Sequence, residues 1–224
     1  MKEEFKNGTL LLGDARELIK ELPDCSVDLI FTDPPYGVTN LPNDNPEVFF
    51  GLEDELWRVL KPNRWMAVWW TVKKLPEIFR LKKFTYCWQI IAYFPRSRTK
   101  CIFGDRNYTL CVVFSKGNPG VVRRASDVVY AVELPFVKGK INFPLFKPTA
   151  AICEIISMLS KEGDVVLDPF AGLCSIPAVC ELFNRKWIAF EIDENLFKAG
   201  ANFIRTGEVN FNGFNDKQLM LFEG

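Results

Sequence analysis

The sequence of 224 residues predicts an α/β fold built on a mostly parallel, doubly wound sheet. Three observations support this fold class. Short apolar runs, typical of buried parallel strands, alternate with helix-like segments near both ends of the chain. Two of these runs end in an acidic residue followed by proline, at residues 33 and 168. The middle of the chain holds two long β-rich runs with no helix between them, which predicts an antiparallel hairpin.

The alternation in the first third predicts three strands and three helices. The strand at 27–32 is apolar apart from Asp28, as expected of a strand that is covered on both faces. The helix at 46–60 is predicted by apolar residues at helical spacing, which are Val48, Phe49, Leu52, Leu56 and Leu60. The other predicted elements here are strands at 9–12 and 65–71 and helices at 15–22 and 74–82.

The rest of the chain completes the predicted sheet. Residues 84–94 and 108–114 are expected to pair as the antiparallel hairpin. A helix at 149–160 is predicted by an apolar face of Ile152, Ile155, Ile156 and Leu159. The predicted elements that follow are a strand at 165–167, a helix at 175–183, a strand at 187–190 and a helix at 194–204. We therefore expect one domain over residues 1–204 with an insertion at about 95–147, and a polar tail at 205–224.

Charge is distributed unevenly, although the formal net charge is zero. Residues 72–147 contain fifteen basic and four acidic residues, so this region carries +11 and the remainder −11. Such a basic region is expected of a protein that binds a phosphate backbone, and a solvated basic surface would have the same composition. The candidate contacts are Arg96, Arg98, Lys100, Arg106, Arg123 and Arg124. The interleaved aromatic residues are expected in the core; they are Tyr86, Trp88, Tyr93, Phe94, Phe103 and Tyr108.

The composition also excludes several kinds of chemistry. The chain has no histidine, which excludes a Ser-His-Asp triad, a Cys-His pair and histidine metal ligands. Its seven scattered cysteines form no C-x-x-C pair, so we expect free thiols in a reducing cytoplasm and no metal site. We find neither a signal peptide nor an apolar run of membrane-spanning length, and we expect a cytoplasmic protein.

The tetrapeptide Asp33-Pro34-Pro35-Tyr36 directly follows the apolar strand at 27–32. Ligands of open α/β sheets bind at the carboxyl ends of the strands, and the two prolines leave nearby carbonyls free to face a ligand. A carboxylate, free carbonyls and an aromatic ring are suited to binding an exocyclic amine while the ring stacks on its base. A proline-rich turn that only closes a strand would look the same in isolation.

A second site is predicted at Asp168-Pro169-Phe170-Ala171-Gly172, where another apolar strand ends in an acid and a glycine turn. Glycine allows the backbone to approach a ligand, and an acid can pair with a cationic ammonium, so such turns suit an adenosyl cofactor. Glu191 ends the next strand about 20 residues later. An acid at that spacing can accept the hydroxyls of a ribose.

Together these motifs resemble the β class of amino-methylating DNA methyltransferases, which use S-adenosylmethionine. The resemblance extends from about residue 9 to residue 204 and is weakest in the middle. The matching segments, in the order of the β class, are Leu12-Gly13-Asp14, Thr32 to Gly37, Arg58 to Pro62, Lys147-Pro148 and Asp168 to Gly172. The resemblance implies a Rossmann-like methyltransferase fold and a basic insertion that recognises DNA.

The resemblance also implies roles for individual residues. The implied catalytic residues are Asp33, Pro34, Pro35 and Tyr36, and the implied cofactor-binding residues are Asp14, Lys147, Asp168, Phe170, Gly172, Cys174, Ser175 and Glu191. Tyr36 would stack on a flipped base, while the Asp33 carboxylate and the Pro34 carbonyl accept the two amine hydrogens. Asp33 favours adenine N6 as the target, because cytosine N4 enzymes more often have serine there. Methylation of cytosine N4, of RNA or of a protein amide, and DNA binding without efficient catalysis, are the alternatives.

The sequence departs from the family pattern in three places. Cys174 stands where the family's cofactor turn has its second glycine, and its side chain is expected to weaken cofactor binding or to move the loop. Residues 143–146 lack the usual histidine and glutamine, and residues 106–109 lack the usual His-Glu pair.

The last residues and the small recognition region lead to two expectations about partners. Residues Gln218 to Phe222 resemble the short peptide by which bacterial proteins bind the replication sliding clamp. The same apolar side chains could instead fold back onto the domain. The small size of the recognition region is consistent with a homodimer.

Overall fold

The computed structural model describes residues 1–39, 43–94, 100–131 and 148–209. Within these ranges, nine strands form one sheet and two short strands form a separate hairpin. The strands are β1 (Lys2–Glu4), β2 (Gly8–Leu12), β3 (Val27–Thr32), β4 (Leu60–Trp70), β5 (Thr85–Tyr93), β6 (Lys100–Cys101), β7 (Gly104–Asp105), β8 (Tyr108–Lys116), β9 (Val128–Tyr130), β10 (Val165–Asp168) and β11 (Lys186–Glu191).

The sheet has the order β1-β2-β11-β10-β3-β4-β8-β5-β9. Five consecutive neighbours, β2, β11, β10, β3 and β4, are parallel, whereas β1 and β8 are antiparallel to their neighbours. This confirms the predicted mostly parallel sheet. It also confirms the antiparallel pairing of β5 with β8, in which Tyr93 lies opposite Tyr108. Because parallel strands run in one direction, their carboxyl ends lie along one edge, which we call the carboxyl edge.

Helices cover both faces of the sheet. They are α1 (Ala15–Leu18), α2 (Glu47–Phe50), α3 (Glu53–Val59), α4 (Thr149–Leu159), α5 (Ser175–Leu182) and α6 (Glu194–Thr206). Helices α4 to α6 bury one apolar face of the sheet, and α1 to α3 with a 3₁₀ segment (Val72–Arg80) bury the other. The three layers define a doubly wound α/β fold. None of the helices in the described ranges is long and apolar enough to cross a membrane.

Two predicted helices differ from the observed ones. The helix expected at 46–60 is wrong as a single element, because α2 ends at Phe50, Gly51 and Leu52 separate it from α3, and β4 begins at Leu60. Glycine is a poor helix former, so the chain forms two separate helices although the apolar spacing continues across Gly51. The segment expected at 74–82 is a 3₁₀ segment that contains Pro76, which has no amide hydrogen to donate.

The predicted insertion at about 95–147 also needs correction. Strand β8 lies between β4 and β5 within the main sheet, so this interval contains an internal strand and is not an insertion as a whole. Residues 95–99 and 132–147 of this interval lie outside the described residues, and so does most of the predicted tail, from residue 210 onward. The first two residues of that tail, Arg205 and Thr206, form the last turn of α6.

Asp28 joins three strands at the edge opposite the carboxyl edge. Its buried carboxylate accepts hydrogen bonds from Lys61 Nζ at 2.8 Å, from Arg64 at 3.0 Å and from the Val165 amide at 3.1 Å. Although burial raises the pKa of Asp28, these bonds and the two cations lower it below its ordinary value. Hydrogen bonds to a buried charge are worth about 1.5–3 kcal/mol, so this cluster stabilises the register of β3, β4 and β10.

Candidate active site

Four acidic residues follow four neighbouring parallel strands at the carboxyl edge. Asp14 follows β2, Glu191 ends β11, Asp168 ends β10 and Asp33 follows β3. Strands in a sheet lie about 4.8 Å apart, so acids far apart in the sequence become lateral neighbours. The sheet therefore brings the predicted catalytic motif and the predicted cofactor turn to one site.

The catalytic motif is held by its own side chains. The Tyr36 hydroxyl donates a hydrogen bond to Asp33 Oδ1. The Tyr36 ring packs edge-on against Trp70 at the end of β4, with 5.4 Å between ring centroids and an interplanar angle of 77°. Burial and the nearby Asp33 carboxylate raise the pKa of Tyr36 well above its ordinary value. The phenol therefore stays protonated and can act as a hydrogen-bond donor to Asp33. Pro34 is buried and Pro35 half-buried beside it.

Aromatic rings connect the two halves of the site. Trp70 lies 5.9 Å from Phe49 of α2, and Phe49 lies 6.4 Å from Phe170 in the cofactor turn, as measured between ring centroids. Aromatic pairs at these distances and tilted angles are favourable packing contacts. The rings from Tyr36 to Phe170 therefore form one continuous packed row, in which Trp70 and Phe49 are fully buried and only Tyr36 and Phe170 are half-buried.

A direct hydrogen bond links the catalytic strand to the cofactor strand. The hydroxyl of buried Thr32 donates to Asp168 Oδ1 at 2.7 Å, and the Phe170 amide donates to the same oxygen at 3.2 Å. Asp168 is 3% exposed, and burial, with smaller contributions from Asp33 and Glu191, raises its pKa to about 7. The sequence did not identify Thr32 as part of the site, since a threonine at the end of a strand is common.

Glu191 organises the cofactor turn from the neighbouring strand. Its Oε2 accepts a hydrogen bond from the Gly172 amide at 2.7 Å, and its Oε1 accepts one from the Asp193 amide at 2.8 Å. Burial raises the pKa of Glu191 to about 7. Among the described residues, neither Glu191 nor Asp168 forms an ion pair. Two buried acids without a basic partner suit a ligand that is cationic or rich in hydroxyl groups.

The expected obstruction by Cys174 is absent from the described turn. Cys174 has a left-handed backbone, with φ 59° and ψ 35°, and its side chain is fully buried. The thiol points at Gly200 of α6, where an added Cβ would lie 2.5 Å from Sγ. The side chain is therefore packed beneath the turn. Gly172 has φ +52°, and a Cβ built there meets nothing within 4 Å, so the space above the turn is open.

Asp14 is at the predicted position but has local partners. It caps the start of α1 by accepting a hydrogen bond from the Arg16 amide at 2.9 Å, and its carboxylate pairs with the Arg16 guanidinium. The hydrogen bond to the Arg16 side chain lowers the pKa of Asp14, so this group is ionised at neutral pH. Its contact with a cofactor stays a prediction.

An adenosyl cofactor fits the residues present at this edge. Asp168 and Glu191 supply buried acceptors, and the turn at Gly172 leaves room for a ligand against the backbone. Phe170 supplies an apolar wall, and the half-buried Ser175 begins α5 directly after the turn. Lys147 lies outside the described residues, immediately before Pro148, which caps α4.

One acid at the site was missed by the sequence reasoning. Asp44, just before α2, accepts hydrogen bonds from the amides of Tyr36 and Gly37 on Oδ1, both at 2.7 Å. Its Oδ2 accepts bonds from the Val38 amide at 2.8 Å and from the amide and hydroxyl of Thr39 at 2.6 and 2.7 Å. One carboxylate thus fixes the four residues that begin with Tyr36. Nothing in the spacing of the sequence indicates this contact.

The predicted DNA-binding residues do not all lie together. Arg106 is half-buried next to the start of β8, at the carboxyl edge. Arg123 and Arg124 lie apart from Arg106. Arg123 pairs with Glu154, and the two arginines directly follow Val122, whose amide donates to the Met158 carbonyl near the end of α4. That is the edge opposite the four acids, and a contact of Arg123 or Arg124 with DNA stays a prediction. Arg96, Arg98 and the side chain of Lys100 lie outside the described residues, as do Gln218 to Phe222.

The aromatic residues between the basic ones are not uniformly in the core, contrary to expectation. Phe103, at the tip of the β6–β7 hairpin, is 93% exposed, and its neighbour Ile102 is 90% exposed. Trp88 is also exposed, beside a groove of about 450 Å³ that includes Trp65 and Met158. This groove adjoins the starts of β4 and β5 and the end of α4, on the edge opposite the acids, so we do not assign the cofactor to it.

Comparison with known proteins agrees with this geometry. The family model described as DNA methylase, for N6 and N4 methyltransferases, matches residues 135–202. The type II methyltransferase M.HpaI from Haemophilus parainfluenzae is 27% identical over 246 residues, which cover 92% of this chain and 76% of that protein. The DNA adenine methyltransferase YhdJ from Escherichia coli K12 is 28% identical over 237 residues, which cover 86% of this chain and 81% of that protein.

Solved structures have the same fold. The cytosine-N4-specific PvuII DNA methyltransferase aligns with a TM-score of 0.74 at 19% identity, covering 97% of this chain and 92% of that one. The complex of M1.HpyAVI with SAM aligns with a TM-score of 0.67 at 22% identity, covering 86% and 98%. The sheet is therefore that of a Rossmann-like methyltransferase. Together, the family model and these relatives support an amino-methylating DNA methyltransferase, of the kind that acts on adenine N6 or cytosine N4.

Proposed function

We propose that this protein transfers a methyl group from S-adenosylmethionine to the exocyclic amine of a flipped base in DNA, with adenine N6 as the preferred target. The observation that carries the proposal is the row of acids at the carboxyl edge. It places Asp33 and Tyr36 beside a turn that has two buried acids, Asp168 and Glu191. S-adenosylmethionine is the cofactor of this family, and it supplies an electrophilic methyl group bound to a sulfonium.

In this proposal the catalytic motif binds and orients the amine. The Asp33 carboxylate accepts one N–H of the base, and the Pro34 carbonyl accepts the other. Tyr36 already donates to Asp33 in the described structure, so an incoming amine takes over an existing acceptor position. Hydrogen bonds from both amine hydrogens turn the nitrogen lone pair out of conjugation with the ring. Positioning and electrostatics then account for the rate, and no covalent enzyme intermediate is needed.

In this proposal the buried acids Asp168 and Glu191 bind the cofactor. Asp168 is the proposed partner of the cofactor's ammonium, and Glu191 the proposed acceptor for the ribose hydroxyls. Glu191 now bonds to the Gly172 and Asp193 amides, which hold it at the turn with lone pairs to spare. The half-buried Phe170 supplies an apolar contact, and Asp14 and Lys147 are proposed to complete the site.

The duplex is proposed to approach the carboxyl edge. A paired base cannot reach Asp33, so the target must leave the stack. The β6–β7 hairpin connects the end of β5 to the start of β8, and both lie at this edge because Tyr93 is opposite Tyr108. Its exposed tip, Ile102 and Phe103, can contact the space left by an extruded base. Arg106 lies at the base of the same hairpin.

Two observations favour adenine over cytosine. Asp33 is the acid typical of the adenine enzymes in this family, and the relative YhdJ is named a DNA adenine methyltransferase. Cytosine N4 is the second candidate, since the PvuII enzyme with the same fold is named cytosine-N4-specific. A fold likeness at 19% identity does not carry substrate preference, so we favour adenine.

The test is transfer of labelled methyl groups from S-adenosylmethionine to unmethylated bacterial DNA, followed by digestion and separation of the nucleosides. We expect label in N6-methyladenine. Label in N4-methylcytosine would support methyl transfer to an exocyclic amine and would show that the target base is cytosine.

Asp33→Ala tests the catalytic role of the carboxylate. We expect at least a thousandfold loss of transfer, with the Kd for S-adenosylmethionine changed less than about twofold, because Asp33 acts on the base. Retained transfer would refute this role. DNA binding by the wild-type protein without cofactor binding would instead identify a relative that only binds DNA.

A further inference from the structure

The loop that carries Tyr36 has an unusual support. Four consecutive amides, from Tyr36 to Thr39, point at the carboxylate of Asp44, and the Thr39 hydroxyl adds a fifth bond. All five bonds are 2.6 to 2.8 Å long. Successive amides that converge on one anion form a nest, and here the anion is supplied by the chain itself.

The loop is also constrained where it turns. Gly37 has φ +66°, and a Cβ built there would lie 2.9 Å from Pro46 and 3.1 Å from the Lys74 ammonium. Asp44 precedes Pro46 and α2, whose Phe49 contacts Trp70, the ring against which Tyr36 packs. The segment from Asp44 into α2 therefore bonds to the loop at one end and contacts, through Phe49, the Trp70 ring that supports Tyr36.

Asp44 is built to stay ionised. Although burial raises the pKa of Asp44, hydrogen bonds from Thr39, Gly37 and Tyr36 lower it below its ordinary value. Both carboxylate oxygens accept bonds from N–H or O–H donors of the described residues 36–39, so a neutral amide in the same place would point an NH₂ group at N–H groups. An ordinary turn cap needs one acceptor and one or two donors, and this arrangement exceeds that need.

We propose that Asp44 is a positioning residue of the methyl-transfer site, which holds residues 36–39 so that Tyr36 and Asp33 meet the target base. This inference rests on the proposed function. Asp44 has no proposed contact with base or cofactor, and acts only through the loop. A displacement of about 1 Å at a reacting group can reduce a rate about a hundredfold, so loss of the support should be visible in kcat.

The test compares Asp44→Asn with Asp54→Asn, an isosteric change of an acid on α3 whose side chain is 79% exposed. For Asp44→Asn we expect a 10- to 100-fold fall in kcat. We expect changes below about twofold in the Kd for S-adenosylmethionine, and a melting temperature lower by a few degrees, because bonds to an ionised carboxylate are lost. Asp54→Asn should match the wild type in all three.

A double-mutant cycle separates positioning from general damage. If Asp44 acts through Tyr36, its substitution should reduce kcat much less in a Tyr36→Ala background than in the wild type. Fully additive effects would overturn the proposal. So would a kcat within twofold of the wild type for Asp44→Asn, or a loss explained by weaker cofactor binding.

Amide hydrogen exchange provides a readout that does not need activity. We expect the amides of residues 36–39 to exchange at least tenfold faster in Asp44→Asn and at wild-type rates in Asp54→Asn. Unchanged exchange would overturn the inference even if activity falls. If Asp44→Asn exchanges faster but the wild-type protein methylates no DNA, Asp44 is still the support of the loop, and the proposed function is refuted instead.

Discussion

Asp168 combines burial with the proximity of two other acids, and this combination has a cost in stability. Its pKa is raised to about 7, so the unfolded chain ionises this group at lower pH than the folded protein does. Ionisation of Asp168 therefore has no effect on the free energy of unfolding below about pH 4. It lowers that free energy as the pH rises from about 4 to 7, and lowers it no further at higher pH. A shift of about three units corresponds to at most about 4 kcal/mol.

Asp168→Asn should remove this cost while keeping the bonds to Thr32 and Phe170. We expect the cofactor-free variant to melt at a higher temperature than the wild type at pH 8, with little difference at pH 4. The Kd for S-adenosylmethionine should rise at least tenfold, because the proposed partner of the ammonium is neutral. Thermal unfolding at both pH values and calorimetric titration measure these effects. A melting difference that is equal at pH 4 and pH 8 would contradict the assigned titration.

Cys174 and Gly200 form a matched pair of residues. A Cβ at position 200 would lie 2.5 Å from Cys174 Sγ and 3.2 Å from the Gly172 carbonyl, so Gly200→Ala should displace the cofactor turn. We expect a loss of about 1–3 kcal/mol in stability, as is typical of overpacking, together with weaker cofactor binding. Adding Cys174→Gly removes the obstructing thiol and should restore most of both losses. Thermal unfolding and calorimetric titration of the single and double variants would measure this.

Gly120→Ala is the matched control for this pair, since nothing lies within 4 Å of a Cβ built there. If the double variant is no more stable than Gly200→Ala and binds the cofactor no more tightly, the Cys174 thiol is not the group that the new methyl group contacts.

At the scale of elements, the β6–β7 hairpin presents an apolar tip to solvent at the carboxyl edge. Replacing Ile102 and Phe103 together by serine should change the melting temperature little, because these side chains are 90% and 93% exposed. If the tip contacts DNA, the affinity for a target duplex should fall about 5- to 50-fold while the Kd for S-adenosylmethionine is unchanged. The control replaces Val121 and Val122, an apolar pair at the opposite edge that is about half exposed. Equal losses for both pairs in a DNA-binding titration would contradict a specific role for the hairpin.

Elements also show where sequence reasoning succeeds. The strand at 27–32 was predicted with its observed bounds because all six of its residues are buried and a proline turn ends it. The helix predicted at 46–60 is wrong as one element, because the apolar spacing continues across Gly51 although the helix is interrupted there. Periodicity reports which residues are buried. It does not report whether they belong to one element.

Across the whole molecule, the site could be predicted only as far as it depends on strand ends. Asp33, Asp168 and Glu191 each end an apolar run, and parallel strands bring such ends together. Asp44 could not be found this way, because its five bonds depend on the path of a loop. The direction of the Cys174 side chain depends on Gly200, a residue on another helix, so the sequence of the turn alone was misleading.

The geometry of the site does not depend on the order in which its motifs occur along the chain. Arg205, in the last turn of α6, pairs with Glu3 of β1, so the two ends of the described fold lie side by side. A circular permutant could therefore join these ends through a short linker and begin anew within residues 118–120, on the edge remote from the site. Its cofactor turn would precede its catalytic motif in sequence. Asp168 and Asp33 would still stand on adjacent strands, so the same pocket can be encoded in more than one linear order.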